Sequence, residues 1–393
     1  MLSHTSVVGV ILRIAYVSTY PPTHCGVGEY TRMLVAAMKS VNSNVTIYVL
    51  CDENCGEERY DSYAGAYIYP TFKKRSSSYD SILNQLSRIG DVDLIHVQHE
   101  YGIFGSNDSI LQALIKAKSE SLVKKVVFTL HTVQHPLYGD KESLDFQRRL
   151  SYADAIIVHS YLQEFEIQQQ GVDPIKIYRI PHGTLLNPFL GAPRFKLIEQ
   201  LGIKGENIKG YIMTTPGFLR RDKGLDILSE ALEYLRRRGN TDMTLIVAGE
   251  LRDKEVLSFL DYASKYVNVI VLERYLSNEE ILKLIALADI VMLPYRDKLG
   301  MYSVSGILHL SMGSFKPIVG TRVPRLIELY QFAPRLTAPP RTPIELAKRI
   351  SWVIENYDYA VNYMGYMYGY AVRTQWLRAA RKHLALYQEL LSI

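Results

Sequence analysis

The sequence predicts an α/β protein built from two doubly wound domains in tandem. Three observations carry that expectation. The chain has 393 residues, more than one ordinary hydrophobic core accommodates, so two domains of a little under ~200 residues each are expected. Short continuous apolar runs alternate with segments of helical periodicity in both halves, the pattern of parallel sheets covered on both faces. An irregular stretch at 187–193, Asn-Pro-Phe-Leu-Gly-Ala-Pro, separates the two sets and reads as the linker.

Taken in order, strand-like runs fall at 11–18, 44–51, 93–98, 125–130, 155–159 and 177–180. Residues 7–12 could pass for the apolar part of a secretion signal, but no basic segment precedes them and Arg13 interrupts the run. They read as a short leader into the first strand. The second set of strands begins at 211–214 and continues through 243–248, 268–272, 290–293 and 317–319. Beyond Thr342 the pattern is helical, with an aromatic-rich segment at 357–376 and an amphipathic tail to Ile393. Domain bounds of 1–188 and 189–365 follow, with 366–393 as a terminal helix.

Composition narrows the function. Net charge is only +5 and no long Lys/Arg run occurs, which argues against a nucleic-acid partner. Three cysteines, Cys25, Cys51 and Cys55, are too few and too unevenly spread for a disulfide scaffold or a four-ligand zinc site; the expectation is reduced thiols and no metal. No window reaches the ~20 apolar residues of a membrane span. A soluble cytoplasmic protein is expected, with at most a peripheral contact at the inner face of the membrane. For that contact the basic stretch Lys73-Lys74-Arg75 beside Phe72 and Tyr79 is the candidate, although such a run is most often a solvated loop.

The most informative stretch runs from Thr214 to Asp226. A strand at 211–214 leads into Gly217, Arg220, Arg221, Lys223 and Gly224, and Leu225, Ile227, Leu228, Ala231, Leu232 and Leu235 then share one helical face. A basic loop at the carboxyl end of a strand, against a helix start, suits a phosphate-bearing ligand. Ser303, Ser305 and Gly306, entering a later helix, offer a second anion-friendly start, and Glu250 ends another strand in the same half.

In the first half, Gly26 and Gly28 open a helix after the first strand. A dinucleotide fingerprint would make the protein a nicotinamide or flavin oxidoreductase, and Asp52 even supplies the acid. Thr31 occupies the third glycine position, however, and seven residues separate Ser18 from Gly26. Three histidines, His99, His131 and His159, fall at carboxyl ends of first-half strands. His131 is the best placed of them because its strand is expected to be central. Asp91 and Asp93 flank the start of their strand, at the wrong edge for a metal-diphosphate role.

With these elements in order, the sequence resembles the retaining family 4 glycosyltransferases of GT-B fold over nearly its whole length. The residues that carry the resemblance are Tyr20-Pro21-Pro22 with Gly26-Val27-Gly28-Glu29, Asp93-Leu94-Ile95-His96-Val97-Gln98-His99-Glu100, Thr129-Leu130-His131-Thr132, Ile180-Pro181-His182-Gly183 and 217–224. The resemblance implies two Rossmann-like domains facing across a cleft, with the last helix crossing back to the first. It implies a nucleoside-diphosphate sugar, GDP- or UDP-linked, as donor substrate on the second domain, and no cofactor. A glycan, glycolipid or small molecule is the implied acceptor on the first. It also implies Lys223 at the diphosphate, His131 facing the transferred sugar, and Gly26 and Gly28 letting their loop approach it.

The chain departs from the family in two places. Phe218 stands where the family carries the phosphate arginine, and Arg220 is the implied replacement. The family's pair of glutamates falls at Tyr302 and Leu310, so both carboxylates are missing. The helix start Ser305-Gly306-Ile307-Leu308 is similar to that of mannosyltransferase-like relatives. The expectation is therefore an active, metal-independent hexosyltransferase, with a catalytically silent nucleotide-binding regulator as the alternative.

Overall fold

The computed structural model describes residues 12–239 and 242–393. The described residues form two compact units: 12–183 with Gly300–Ser303 and Trp376–Ile393, and 184–299 with Val304–Gln375. Residues 7–11 of the leader and first-strand readings lie outside the described residues.

The first unit contains β1 (Arg13–Ser18), α1 (Gly26–Val41), β2 (Thr46–Asp52), β3 (Arg59–Asp61), β4 (Ala66–Phe72), α2 (Asp80–Ile89), β5 (Val92–His99), α3 (Tyr101–Phe104), α4 (Ser109–Ser119), β6 (Val123–Leu130), β7 (Thr132–Gln134), α5 (Lys141–Arg149), β8 (Ala155–Val158), α6 (Tyr161–Gln169) and β9 (Ile177–Arg179). Its eight-stranded sheet runs β3-β4-β2-β1-β5-β6-β8-β9. Only the β3–β4 pair is antiparallel. The strand order reverses between β1 and β5, which creates a crevice at their carboxyl ends where ligands of such sheets bind.

The second unit contains α7 (Arg194–Gln200), β10 (Tyr211–Pro216), α8 (Leu225–Arg237), β11 (Met243–Ala248), α9 (Glu255–Ala263), β12 (Asn268–Leu272), α10 (Asn278–Leu287) and β13 (Ile290–Leu293). The chain continues through β14 (Met301–Ser303), α11 (Gly306–Ser311), β15 (Ile318–Thr321), α12 (Ile327–Phe332), β16 (Thr337–Ala338), α13 (Pro343–Glu355), α14 (Tyr357–Arg373) and α15 (Trp376–Leu391). Its sheet, β12-β11-β10-β13-β15-β16, is parallel throughout and reverses between β10 and β13. The two exceptions to this grouping are β14, which pairs antiparallel with β7 and belongs to the first unit, and α15, which does so as well.

Local chemistry explains the boundaries. Ser160 with Gln163 and Ser277 with Glu280 form capping boxes that start α6 and α10. Gly224, at φ 70°, turns the chain into α8. The apolar face predicted for α8 is buried in full, from Leu225 to Leu235. It joins the second core with strand residues such as Met213, Ile246 and Val291.

Three findings differ from the sequence reading. Cys51 and Cys55 form a disulfide rather than reduced thiols. The separation of four residues spans the end of β2 and one 3-10 turn, which brings the Cα atoms to 6.2 Å, within bonding reach. The stretch at 187–193 is tied down: Asn187 is buried, its Nδ2 donating to Leu282 O (2.8 Å) and Ser314 Oγ (3.0 Å), and the chain passes between units at Gly183/Thr184, on either side of β14 and at Gln375/Trp376. The basic stretch is partly neutralised, Lys74 pairing with Asp52 at 3.4 Å and Lys73 with Glu53 at 3.8 Å.

Candidate functional site

In the second unit, the carboxyl ends of β10 and β13 carry the basic loop and Tyr295. Lys223, although charged, is buried, and its Nζ donates to Tyr295 Oη at 2.8 Å while lying 4.2 Å from the ring centre. Tyr295 Oη also shares a hydrogen bond with Ser305 Oγ at 3.2 Å. Ser305 also caps α11, accepting from Leu308 N. Lys223 is thus held at the point where the strand order reverses, with two of its three N–H donors unassigned among the described residues.

The glycine before it is required. Gly217 has φ 101°, and a Cβ there would stand 3.1 Å from Ile307 Cδ1 and 3.9 Å from Lys223 Nζ. A side chain would crowd the space in front of the ammonium. Gly224 is equally constrained, a Cβ falling 1.9 Å from Pro294 O.

Asp222 organises the cations. Its Oδ2 accepts from Arg220 at 2.9 Å and from Arg325 at 2.8 Å. Burial would raise this carboxyl, but Arg220, Arg325 and Lys223 hold it below its ordinary value. Three cations around one carboxylate leave a positive field. Among the described residues, Thr215 Oγ1 at the end of β10 and Arg220 Nε and Asp222 Oδ1 on the loop are buried polar atoms without a hydrogen-bond partner.

In the first unit, Gly28 lets α1 press onto the end of β1: a Cβ there would lie 3.2 Å from Thr19 O. The helix thereby sets Tyr30 at the centre of a ring cluster with His131 (4.8 Å), His159 (5.2 Å), His182 (5.0 Å) and Trp376 (5.0 Å). His131 sits just past β6, and its Nε2 is 3.0 Å from Gln98 Oε1. Burial, followed by the neighbouring His159 and His99, holds His131 well below the usual imidazole range, so it is neutral. Among the described residues Thr19 Oγ1 and Tyr30 Oη are buried without a hydrogen-bond partner. His99 is structural: it is sandwiched between Phe104 (5.6 Å) and Phe146 (4.3 Å), and burial lowers its pKa to about 3.

Residues 25–186 match the family model described as Glycosyltransferase Family 4, and residues 210–356 match that of the glycosyl transferases group 1. The chain carries two glycosyltransferase domains. No curated protein matches it. Among solved structures, a glycosyltransferase from Rickettsia africae aligns with a TM-score of 0.72 at 15% identity over 97% of this chain and 98% of its own. HepE from Anabaena, solved with UDP and glucose, gives 0.72 at 16% identity over 96% and 100%. A UDP-forming trehalose-phosphate synthase from Burkholderia xenovorans gives 0.68 at 12% over 96% and 99%. The fold is therefore GT-B.

Within the group 1 domain, Gly217, Arg220, Lys223 and Ser305 gather around Tyr295 and Asp222, with Gly306 starting the helix that Ser305 caps. Arg221 turns away, pairing with Glu255 at 3.3 Å, and Glu250 pairs with Arg252 at 3.2 Å. Ser303 does not join Ser305: it lies in β14, opposite Thr132. In the family 4 domain, Gly26 opens α1 with no atom near its face, and Gly28 and His131 meet through Tyr30. Sequence reasoning missed Arg325, a hundred residues downstream in a 3-10 turn, and gave Tyr295 and Gln98 no role. Tyr295, following a strand-ending proline, was the one detectable signal.

Proposed function

We propose that the protein transfers a hexosyl group, of mannose or glucose type, from a GDP- or UDP-linked donor to a glycan, lipid or small-molecule acceptor with retention of anomeric configuration. The observation that carries this reading is Lys223, buried and held by Tyr295, itself bonded to Ser305, at the reversal point of the group 1 sheet, facing the side-chain-free Gly217. The acceptor's hydroxyl oxygen bonds to the sugar's anomeric carbon on the face the diphosphate leaves, the bond from that carbon to the diphosphate oxygen breaks, and the hydroxyl proton passes to the departing diphosphate, which gains charge as it leaves. Lys223 and Arg220 stabilise that charge, which is the largest catalytic contribution expected of fixed cations. His131 and the Gly26/Gly28 helix start serve the transferred sugar, with the cations carrying the electrostatic role without a metal ion. That HepE was solved with UDP and glucose supports the donor class.

One observation favours the alternative of a silent nucleotide-binding regulator. The family's glutamate positions hold Tyr302, whose backbone oxygen accepts from Gln163, and Leu310, which packs on the second core. Thermal shift with nucleoside diphosphates, followed by an overnight assay for released or transferred sugar, separates the two. Stabilisation with sugar release supports the transferase; stabilisation without any release supports the regulator.

A further inference from the structure

Beneath His131 lies a buried chain of hydrogen bonds, all within the first unit. From His131 Nε2 it passes to Gln98 Oε1 (3.0 Å), from Gln98 Nε2 to His96 Nε2 (3.4 Å), from His96 Nδ1 to Tyr387 Oη, and from Tyr387 Oη to Tyr16 Oη (2.8 Å). It ends at Met38 Sδ, 3.1 Å from Tyr16 Oη. Gln98, His96, Tyr387, Tyr16 and Met38 are all fully buried. Thr129 Oγ1 joins at His96 Nε2, 2.8 Å away.

We infer that this chain has one direction, imposed by the thioether of Met38, and that it fixes His131 as the tautomer with its proton on Nε2 and an accepting lone pair on Nδ1. The reasoning starts at the far end. A thioether sulfur accepts but never donates, so the 3.1 Å Tyr16–Met38 contact is a hydrogen bond only with the Tyr16 hydroxyl proton on the sulfur side. Tyr16 must then accept from Tyr387, and Tyr387, its proton used, must accept from His96 Nδ1–H. His96 has no carboxylate partner among the described residues and burial holds it neutral, so its Nε2 carries no proton; its one lone pair accepts from Thr129 Oγ1 at 2.8 Å, and the Gln98 amide 3.4 Å away must turn its NH₂ to that nitrogen, because an oxygen there would face the lone pair. The amide orientation follows: NH₂ toward His96, Oε1 toward His131. His131 must therefore donate through Nε2.

The consequence reaches function on the reading proposed above. A neutral His131 with a bare Nδ1 accepts a hydrogen bond from a hydroxyl, as a sugar offers, and cannot donate through that atom to a phosphate or carbonyl oxygen. Gln98, His96, Tyr387 and Tyr16 are positioning residues, and the α15 residue Tyr387, 291 positions from His96, makes the terminal helix part of the tautomer control.

Long-range ¹H–¹⁵N correlation on the full chain labelled at histidine reads the tautomer directly, with His131 assigned by its loss in His131→Asn. The wild type should show Nε2 protonated and Nδ1 bare. Met38→Leu, which keeps volume but removes the acceptor, and Tyr387→Phe should each admit the other tautomer to the order of 10% or more. A wild-type His131 with Nδ1 protonated overturns the inference, as does a His131 spectrum unchanged in both variants. Failure of the functional reading is a separate result: His131→Ala with undiminished transfer would remove the catalytic role and leave the tautomer result standing.

Discussion

Replacing Lys223 with alanine removes a buried cation at the reversal point of the group 1 sheet. In the unliganded protein the cost is small, because Tyr295 Oη keeps Ser305 Oγ as a partner at 3.2 Å. The loss is one hydrogen bond and one cation–π contact, about 1 to 2 kcal/mol of stability. On the proposed transfer reaction the same change would remove a preorganised charge from the leaving diphosphate, worth roughly 2 to 4 kcal/mol, or about 30- to 1000-fold in kcat/KM. Lys223→Met, which keeps the stem, should lose as much catalysis but less stability. Steady-state transfer measured beside urea unfolding separates the two. Wild-type turnover in Lys223→Ala would refute the reasoning, because among the described residues no other cation of the loop is bonded to Tyr295.

Further outcomes follow from other contacts. Gly224→Ala should destabilise the second unit by about 3 kcal/mol or more, since a positive φ and a Cβ 1.9 Å from Pro294 O must both be relieved; urea unfolding with no shift in midpoint would contradict this. His131→Ala should leave nucleoside-diphosphate affinity within about twofold by calorimetry while lowering transfer on the order of 100-fold, and a large affinity loss would move His131 out of the catalytic role. Burial raises Glu328 to about 7 and lowers His309, 3.7 Å away, to about 4. For Glu328 the folded value lies above the unfolded, so its contribution is full below about pH 4.5 and lost as pH rises through 7; for His309 the folded value lies below, so its contribution is full above about 6.5 and lost as pH falls toward 4. Glu328→Gln should therefore gain stability relative to wild type between pH 5 and pH 8, by up to about 3 kcal/mol, and a pH-independent difference between the two unfolding curves would refute the assignment.

What the sequence disclosed follows from how local each signal was. The strands at 243–248, 268–272 and 290–293 and the buried face of α8 were legible because continuous apolar runs and a 3.6-residue period are written in neighbouring residues. The β3–β4 hairpin was not, since Pro70 interrupts β4 and its tyrosines alternate with only a few buried partners. Nor was the placement of β14, a three-residue strand embedded in second-unit sequence yet paired with β7. In the site, Gly217 and Lys223 could be named from a strand, a basic loop and a helix start in sequence. Arg325 reaches Asp222 across 103 residues, and Tyr387 reaches His96 across 291; such partners are joined only by the sheet's winding and leave no trace in local pattern.

The central claim is that the loop from Gly217 to Gly224 holds a nucleoside-diphosphate sugar for transfer. Incubating the protein with a panel of UDP- and GDP-linked hexoses and following the nucleoside diphosphate and sugar by mass spectrometry tests it most directly. The account predicts that at least one donor is consumed, with sugar appearing on an acceptor or in water, and that Lys223→Ala slows this consumption about 30-fold or more. Donors that bind and remain intact in the wild type would contradict it.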